Sequence, residues 1–179
     1  MLNMELISTT IMKQNSTTKG GLIPGRTYQA YDDTYGEVRA IFVKATGAVG
    51  VAGSPMYPVT ASWTVAGDFL CDDDESGSVV GEEWCVGVWL GGVTTAAAYG
   101  FIQVYGLNLV VLTTDGTVAA KDTLLPTDTD GTWEGVNSDT LMTASTNNPA
   151  TRCGLCHTAD VSTAQAVGTV FLDVHQTTC

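Results

Sequence analysis

The sequence predicts an all-β protein: a single β-sandwich or β-barrel-like domain over residues 31–179, preceded by an extended N-terminal arm over residues 1–30. Three observations carry this expectation. Thr and Gly are abundant, 27 and 20 of 179 residues, and they suit pleated surfaces and tight turns respectively. Strand-length apolar runs recur roughly every ten residues, separated by turn residues, as in sandwiches and barrels. Long stretches rich in Ala, Glu, Lys and Leu, the composition of surface helices, are absent.

The elements follow in order. Asn15-Ser-Thr-Thr-Lys-Gly-Gly has loop chemistry, and Ile23-Pro24-Gly25 marks a turn, so the first 30 residues read as an arm. The globular part begins near Tyr28. Glu37–Lys44 alternates imperfectly and ends at Thr46-Gly47, which predicts a strand. Ala48–Val51 and Met56–Val65 follow, separated by Gly53-Ser54-Pro55, and Asp72-Asp-Asp-Glu-Ser-Gly is a charged loop. Trp84–Leu90 is a strand ended by Gly91-Gly92. Tyr99–Tyr105 and Leu109–Thr113 form a pair bent at Gly106, and Val118–Leu125 holds a short strand or turn. Thr127–Asn148 is polar and turn-rich. Cys153–Thr158 and Thr169–Val174 are the last strands, and the small residues of Thr94–Ala98 are compatible with a short helix.

Composition removes several function classes. Hydrophobic residues make up 44%, enough for a core in one domain, whereas charged residues are only 15%. The net charge is −12 with seven basic residues in all, which argues against nucleic-acid binding because that requires a basic footprint. Charge is uneven: the first 44 residues hold five basic and four acidic side chains, the remainder two and fifteen. No run of 18 apolar residues exists, so no membrane span is expected, and Met1–Met12 lacks the basic start of a secretion signal. Five cysteines without such a signal predict free, mostly buried thiols rather than a disulfide framework.

The motifs are weighed on their chemistry. Cys153-Gly-Leu-Cys156-His157 has the spacing of covalent c-type haem attachment, which needs two reduced thiols, a free imidazole and export to the haem-loading compartment. With no export signal and no second iron ligand indicated, the two cysteines read instead as small apolar residues of a late strand. Zinc on Cys153, Cys156, His157 and Cys179 would place adjacent ligands awkwardly. Asp72–Glu75 and Asp128-Thr-Asp130-Gly131-Thr-Trp133-Glu134 supply oxygen ligands suited to calcium, but the second departs from EF-hand spacing, and both read as solvated acidic loops. A carbohydrate site using these carboxylates with Trp133 lacks anything that places a substrate. No nucleophile elbow, phosphate loop or dinucleotide glycine pattern is present, so the chain is read as a non-enzyme without cofactor or metal.

Four segments, Val43-Lys-Ala-Thr-Gly-Ala-Val49, Tyr99-Gly-Phe-Ile-Gln-Val-Tyr-Gly106 with the apolar run after it, Ala120-Lys-Asp-Thr-Leu-Leu125 and the closing Gly168-Thr-Val-Phe-Leu172, resemble segments of small tailed-bacteriophage virion proteins. The likeness spans residues 37–174. Cys153 and Cys156 depart from the apolar residues usual at that place in such proteins. The resemblance implies a head decoration (cement) protein that binds the outer surface of an assembled capsid, with the major capsid protein and itself, as a homotrimer, for partners. It would be made in the host cytoplasm and reside on the virion. A tail, head-completion or fibre protein is the alternative. On this reading the arm contacts the shell through Leu2, Ile7, Ile11, Lys13, Lys19, Leu22, Ile23, Arg26 and Tyr28. The strands Trp84–Leu90 and Tyr99–Tyr105 would supply core and subunit contacts.

Overall fold

The computed structural model describes residues 5–49, 51–59, 68–73, 85–94, 97–114, 118, 123–126, 131–136, 154–156 and 170–173. The all-β expectation holds among them. In chain order they form β1 (Glu5–Leu6), α1 (Thr9–Met12), β2 (Thr27–Asp32), β3 (Gly36–Ala45), β4 (Pro55–Pro58), β5 (Leu70–Asp72), β6 (Gly87–Trp89), β7 (Ala98–Leu107), β8 (Thr123–Pro126), β9 (Trp133–Val136), β10 (Gly154–Cys156) and β11 (Val170–Asp173).

Two long strands organise the rest. β3 and β7 pair antiparallel from Arg39–Tyr105 to Ala45–Ala98, with a bulge between Arg39 and Ala40. On its other edge β3 holds β2 along residues 36–41 and then β5, in parallel, at Lys44 and Ala45. β5 pairs with β4, β4 with β6, and β6 returns to β7. The circuit β3–β5–β4–β6–β7–β3 is therefore closed, a five-stranded barrel with no edge of its own. Sheet continues beyond it on both sides. β2 and β1 extend the first half of β3, and β11, β10, β8 and β9 extend the end of β7.

Alternation along β3 sorts the core. Ile41, Val43 and Ala45 point one way and join Met56, Cys71, Trp89 and Ile102, so every barrel strand contributes to one buried cluster, the barrel interior. Val38, Ala40 and Phe42 point the other way and pack with Tyr28, Ala30, Phe101, Leu90, Leu109 and Met12 of α1. A third cluster, with Tyr57, Val88, Leu124, Val170, Leu172 and Trp133, joins the outside of the barrel to the C-terminal strands. Trp89 fills the barrel and lies so close to Gly100 that a Cβ there would stand 2.4 Å from its ring. Gly25 is needed twice over: its φ is +77°, and the ring of Phe69 occupies the space of any side chain.

Four differences from the sequence reading stand out, and the first two have local causes. Residues 109–113 are apolar but form no strand. The Gln103 amide donates to the carbonyls of Tyr105, Gly106 and Leu107 and accepts from the Leu109 N–H. Asn108 donates to the Val110 carbonyl and accepts from the Val170 N–H. These two side chains take the backbone groups that a ladder would use. β2, the second difference, forms because Asp32 Oδ1 accepts from the N–H groups of Thr34 and Tyr35, making an Asx-type turn into β3. β9, thirdly, lies inside the stretch read as turn-rich. Finally, Ala98 opens β7 rather than ending a helix. Residues 60–67, 137–153 and 157–169, including the end of the Met56–Val65 run, lie outside the described residues.

Replacing Trp89 by Ala is expected to cost about 3–5 kcal/mol in urea unfolding. Gly100→Val is expected to cost roughly 1–3 kcal/mol through overpacking. Unchanged unfolding midpoints for both would contradict the barrel interior described above.

Candidate functional surface

The nine residues assigned to a shell-contacting arm lie on a segment that is built into the fold. The division drawn at residue 30 runs through β2, whose six residues all pair with β3. Before it, β1 pairs in parallel with β2, and Ser8 caps α1 by accepting from the Ile11 N–H. Ser16 exchanges two backbone hydrogen bonds with Tyr99, and the Asn15 amide donates to the Gly92 carbonyl. Residues 5–32 are thus folded against the barrel, where the sequence reading had an extended arm, because Met12 and Tyr28 are buried in its outer core.

Within that segment the nine residues separate. Tyr28 is a core residue, edge-on to Phe101 at 5.6 Å, and its hydroxyl accepts from the Ile23 N–H. Ile7 and Leu22 pack against the same cluster. Arg26 pairs with Glu5 at 3.3 Å and lies 5.9 Å from the Tyr28 ring. Ile11 and Ile23 face solvent, and Lys13 sits 5.5 Å over the Tyr35 ring. Leu2 lies outside the described residues.

Lys19 belongs to a polar cluster that spacing does not reveal. Its Nζ is 2.6 Å from Asp68, while Lys44 reaches the other carboxylate oxygen at 3.5 Å and the Tyr99 hydroxyl donates to it at 3.3 Å. Both ammonium groups stand about 5.5 Å from the Tyr99 ring, which itself stacks on Phe42. The Lys19 hydrogen bond is the main cause holding Asp68 below the usual carboxylate range, and the same contact raises Lys19. A carboxylate given two cations and a hydroxyl is fixed in its charged form, so it serves as a tether between the N-terminal segment and the barrel.

The other candidates are placed as follows. Trp133 is fully buried and donates from its ring nitrogen to the Gly53 carbonyl at 2.7 Å, so it offers no ring to a sugar. The two acidic loops do meet: the Gly131 N–H donates to the Asp73 carbonyl, and Asp73 is buried beside Ser54. Asp74, Glu75, Asp128 and Asp130 lie outside the described residues, and among those described no three metal-ligating side chains converge. Gly154–Cys156 forms β10 between β8 and β11, while Cys153, His157 and Cys179 lie outside. Cys71 and Cys85 are free and buried, and burial pushes the Cys71 thiol well above its ordinary value, which makes it a poor nucleophile. A shallow cleft of about 290 Å³ lies between Asn15–Thr17 and Val93–Ala98, with uncharged described walls.

The tether sets a pH window. Asp68 is stabilised as a carboxylate, so its contribution is present above the ordinary value near 4 and is lost as pH falls through its lowered one. Lys19, raised, contributes below its ordinary value near 10 and loses this as pH rises through the raised one. Asp68→Asn is expected to speed amide exchange across residues 16–22 several-fold at pH 7, with the difference from wild type shrinking as the pH is lowered below the ordinary carboxylate value. Equal exchange at pH 7 would remove the tether. Compared with protein-family models and with curated proteins, the chain matches none.

Proposed function

We propose that the chain is a structural virion protein that binds the outer surface of an assembled tailed-phage capsid and stabilises it. It acts without chemistry, with the major capsid protein and further copies of itself as partners. The supporting observation is spatial. Three of the segments that resemble phage virion proteins fall at the end of β3, along β7 and on β11, far apart in sequence yet successive neighbours in the sheet. A shared short motif in one place is weak, whereas likeness concentrated on adjoining strands is what a common architecture would leave.

The mechanism is linkage. A protein that binds the mature lattice and not its precursor stabilises that lattice by RT ln(1 + [L]/Kd), about 2.7 kcal/mol at a hundredfold excess over Kd. Strong net acidity keeps the decorated particle soluble. The shell-facing side chains on this reading are the outward ones of the N-terminal segment, Ile11, Lys13 and Ile23, because their neighbours Tyr28, Ile7 and Leu22 are used by the core.

The test is co-sedimentation of the purified chain with expanded and unexpanded capsids. Binding to expanded shells alone is expected, at a copy number matching the lattice, and Ile11→Ser with Ile23→Ser is expected to weaken it about tenfold or more. Truncation of residues 1–28 is unsuitable because it removes Met12 and Tyr28 from the core. A few copies per particle, or localisation to the tail, would transfer the chain to another virion part. Binding to neither shell would end the proposal.

A further inference from the structure

We propose that the open face of the sheet beside the barrel, formed by β1, β2, the start of β3, the end of β7 and β11, docks a second copy of this chain about a two-fold axis. The inference does not depend on the capsid reading.

The register builds this face. Leu6 lies beside Gln29, Gln29 beside Arg39, Tyr31 beside Glu37, and Arg39 beside Tyr105, while Phe171 packs on Tyr105. The opposite face is covered by α1 and the segments that follow β7, through Met12, Tyr28, Val38, Leu109 and Leu172. Along β3 the same side that fills the barrel at Ile41, Val43 and Ala45 emerges at Glu37 and Arg39, where the barrel strands no longer cover it. A solvated antiparallel face is ordinarily polar. This one instead presents Leu6 at 73% exposure, Tyr31 at 76% and Phe171 at 37%, around Tyr105 and Arg39. Tyr, Phe and Arg are the side chains enriched at the energetic centres of interfaces.

The centre is already ordered. Arg39 donates from Nε and Nη2 to one oxygen of Glu37, both at 2.7 Å. Its guanidinium lies 4.8 Å over the Tyr105 ring, and Phe171 meets that ring edge-on at 5.3 Å. Side chains held this way lose little freedom on association.

Charge selects the occupant. A chain of net charge −12 repels copies of itself over most of its surface, yet at the middle of this face Arg39 neutralises Glu37, and the one other acid that the register places on it, Asp173 opposite Tyr105, lies at the β11 side. A two-fold axis between them brings each Arg39 to the Glu37 carboxylate of the other copy, with both cations used twice. A glycan is disfavoured because the Tyr105 face it would stack on carries the guanidinium.

The test is sedimentation equilibrium of the full chain at increasing concentration. Wild type is expected to show a reversible dimer step. Arg39→Glu and Glu37→Arg, both on the surface and checked for folding by thermal melting, are each expected to weaken it about tenfold or more. An equimolar mixture of the two variants is expected to associate again, since positions 37 and 39 are then both negative in one copy and both positive in the other. Tyr31→Ser is expected to weaken association without charge change. A wild type monomeric to about 1 mM overturns the inference. So does a mixture that stays monomeric, or a trimer indifferent to all three variants, and this last result would leave the capsid proposal standing. Failure of capsid binding with the charge-swap pattern intact would do the reverse.

Discussion

The pairing of β3 with β7 is the constraint on which the rest depends. Seven register pairs, Arg39–Tyr105 through Ala45–Ala98 with one bulge after the first, join two ten-residue strands. Their far ends are bridged by the short strands β5, β4 and β6, of only three or four residues each, which would have little stability as separate hairpins. Closure lets those strands bury Cys71, Met56 and Trp89 in one interior, and the absence of a Cβ at Gly100 makes room for the indole. The same two strands then serve as the trunk for both flanking sheets. Distortion at this pairing would therefore reach the barrel, the N-terminal segment and the C-terminal strands together.

How much was legible follows from what each element depends on. The all-β class, and strands at Gly36–Ala45, Ala98–Leu107 and Val170–Asp173, are visible because their apolar residues are β-branched or aromatic and bounded by turn chemistry. β2 is hidden because Thr27, Gln29 and Asp32 make it look polar, and only distant residues, Met12 of α1 with Leu90, Phe101 and Leu109, make Tyr28 and Ala30 core residues. A local clue existed in Asp32-Asp33 followed by Gly36, a hairpin turn between two alternating runs. The apolar run 109–113 misleads in the opposite direction, since two amide side chains outside it decide its conformation. Closure of the barrel is a property of pairings 53 to 66 positions apart, which periodicity does not encode.

The candidate surface was legible in a similar, partial way. The charged and apolar residues of the first 28 positions are plain in the sequence, but one-dimensional reading assigns a polar, Gly-containing stretch to an arm. The structure brings Asp68, distant in sequence, onto Lys19 and Lys44, and sets Tyr99 beneath both. Four of the five basic residues in this half are held by carboxylates of the chain itself, and the fifth, Lys13, lies over an aromatic ring. The local excess of positive charge thus goes largely into internal cohesion rather than into a basic patch. Trp133, weighed in sequence for a carbohydrate site and set aside, is a core side chain whose nitrogen anchors the Gly53 loop.

The separation of β3 from β7 also bears on how the chain is made. At about 5–20 residues per second on the ribosome, β3 emerges several seconds before β7 is synthesised. During that interval β3 has β2 as a hairpin partner, and its other edge, with Ile41 and Val43 beside it, waits uncovered. An uncovered edge of this kind pairs readily with other chains. Synthesis speed and nascent-chain crowding, rather than the stability of the finished barrel, would then govern the yield of correctly folded protein.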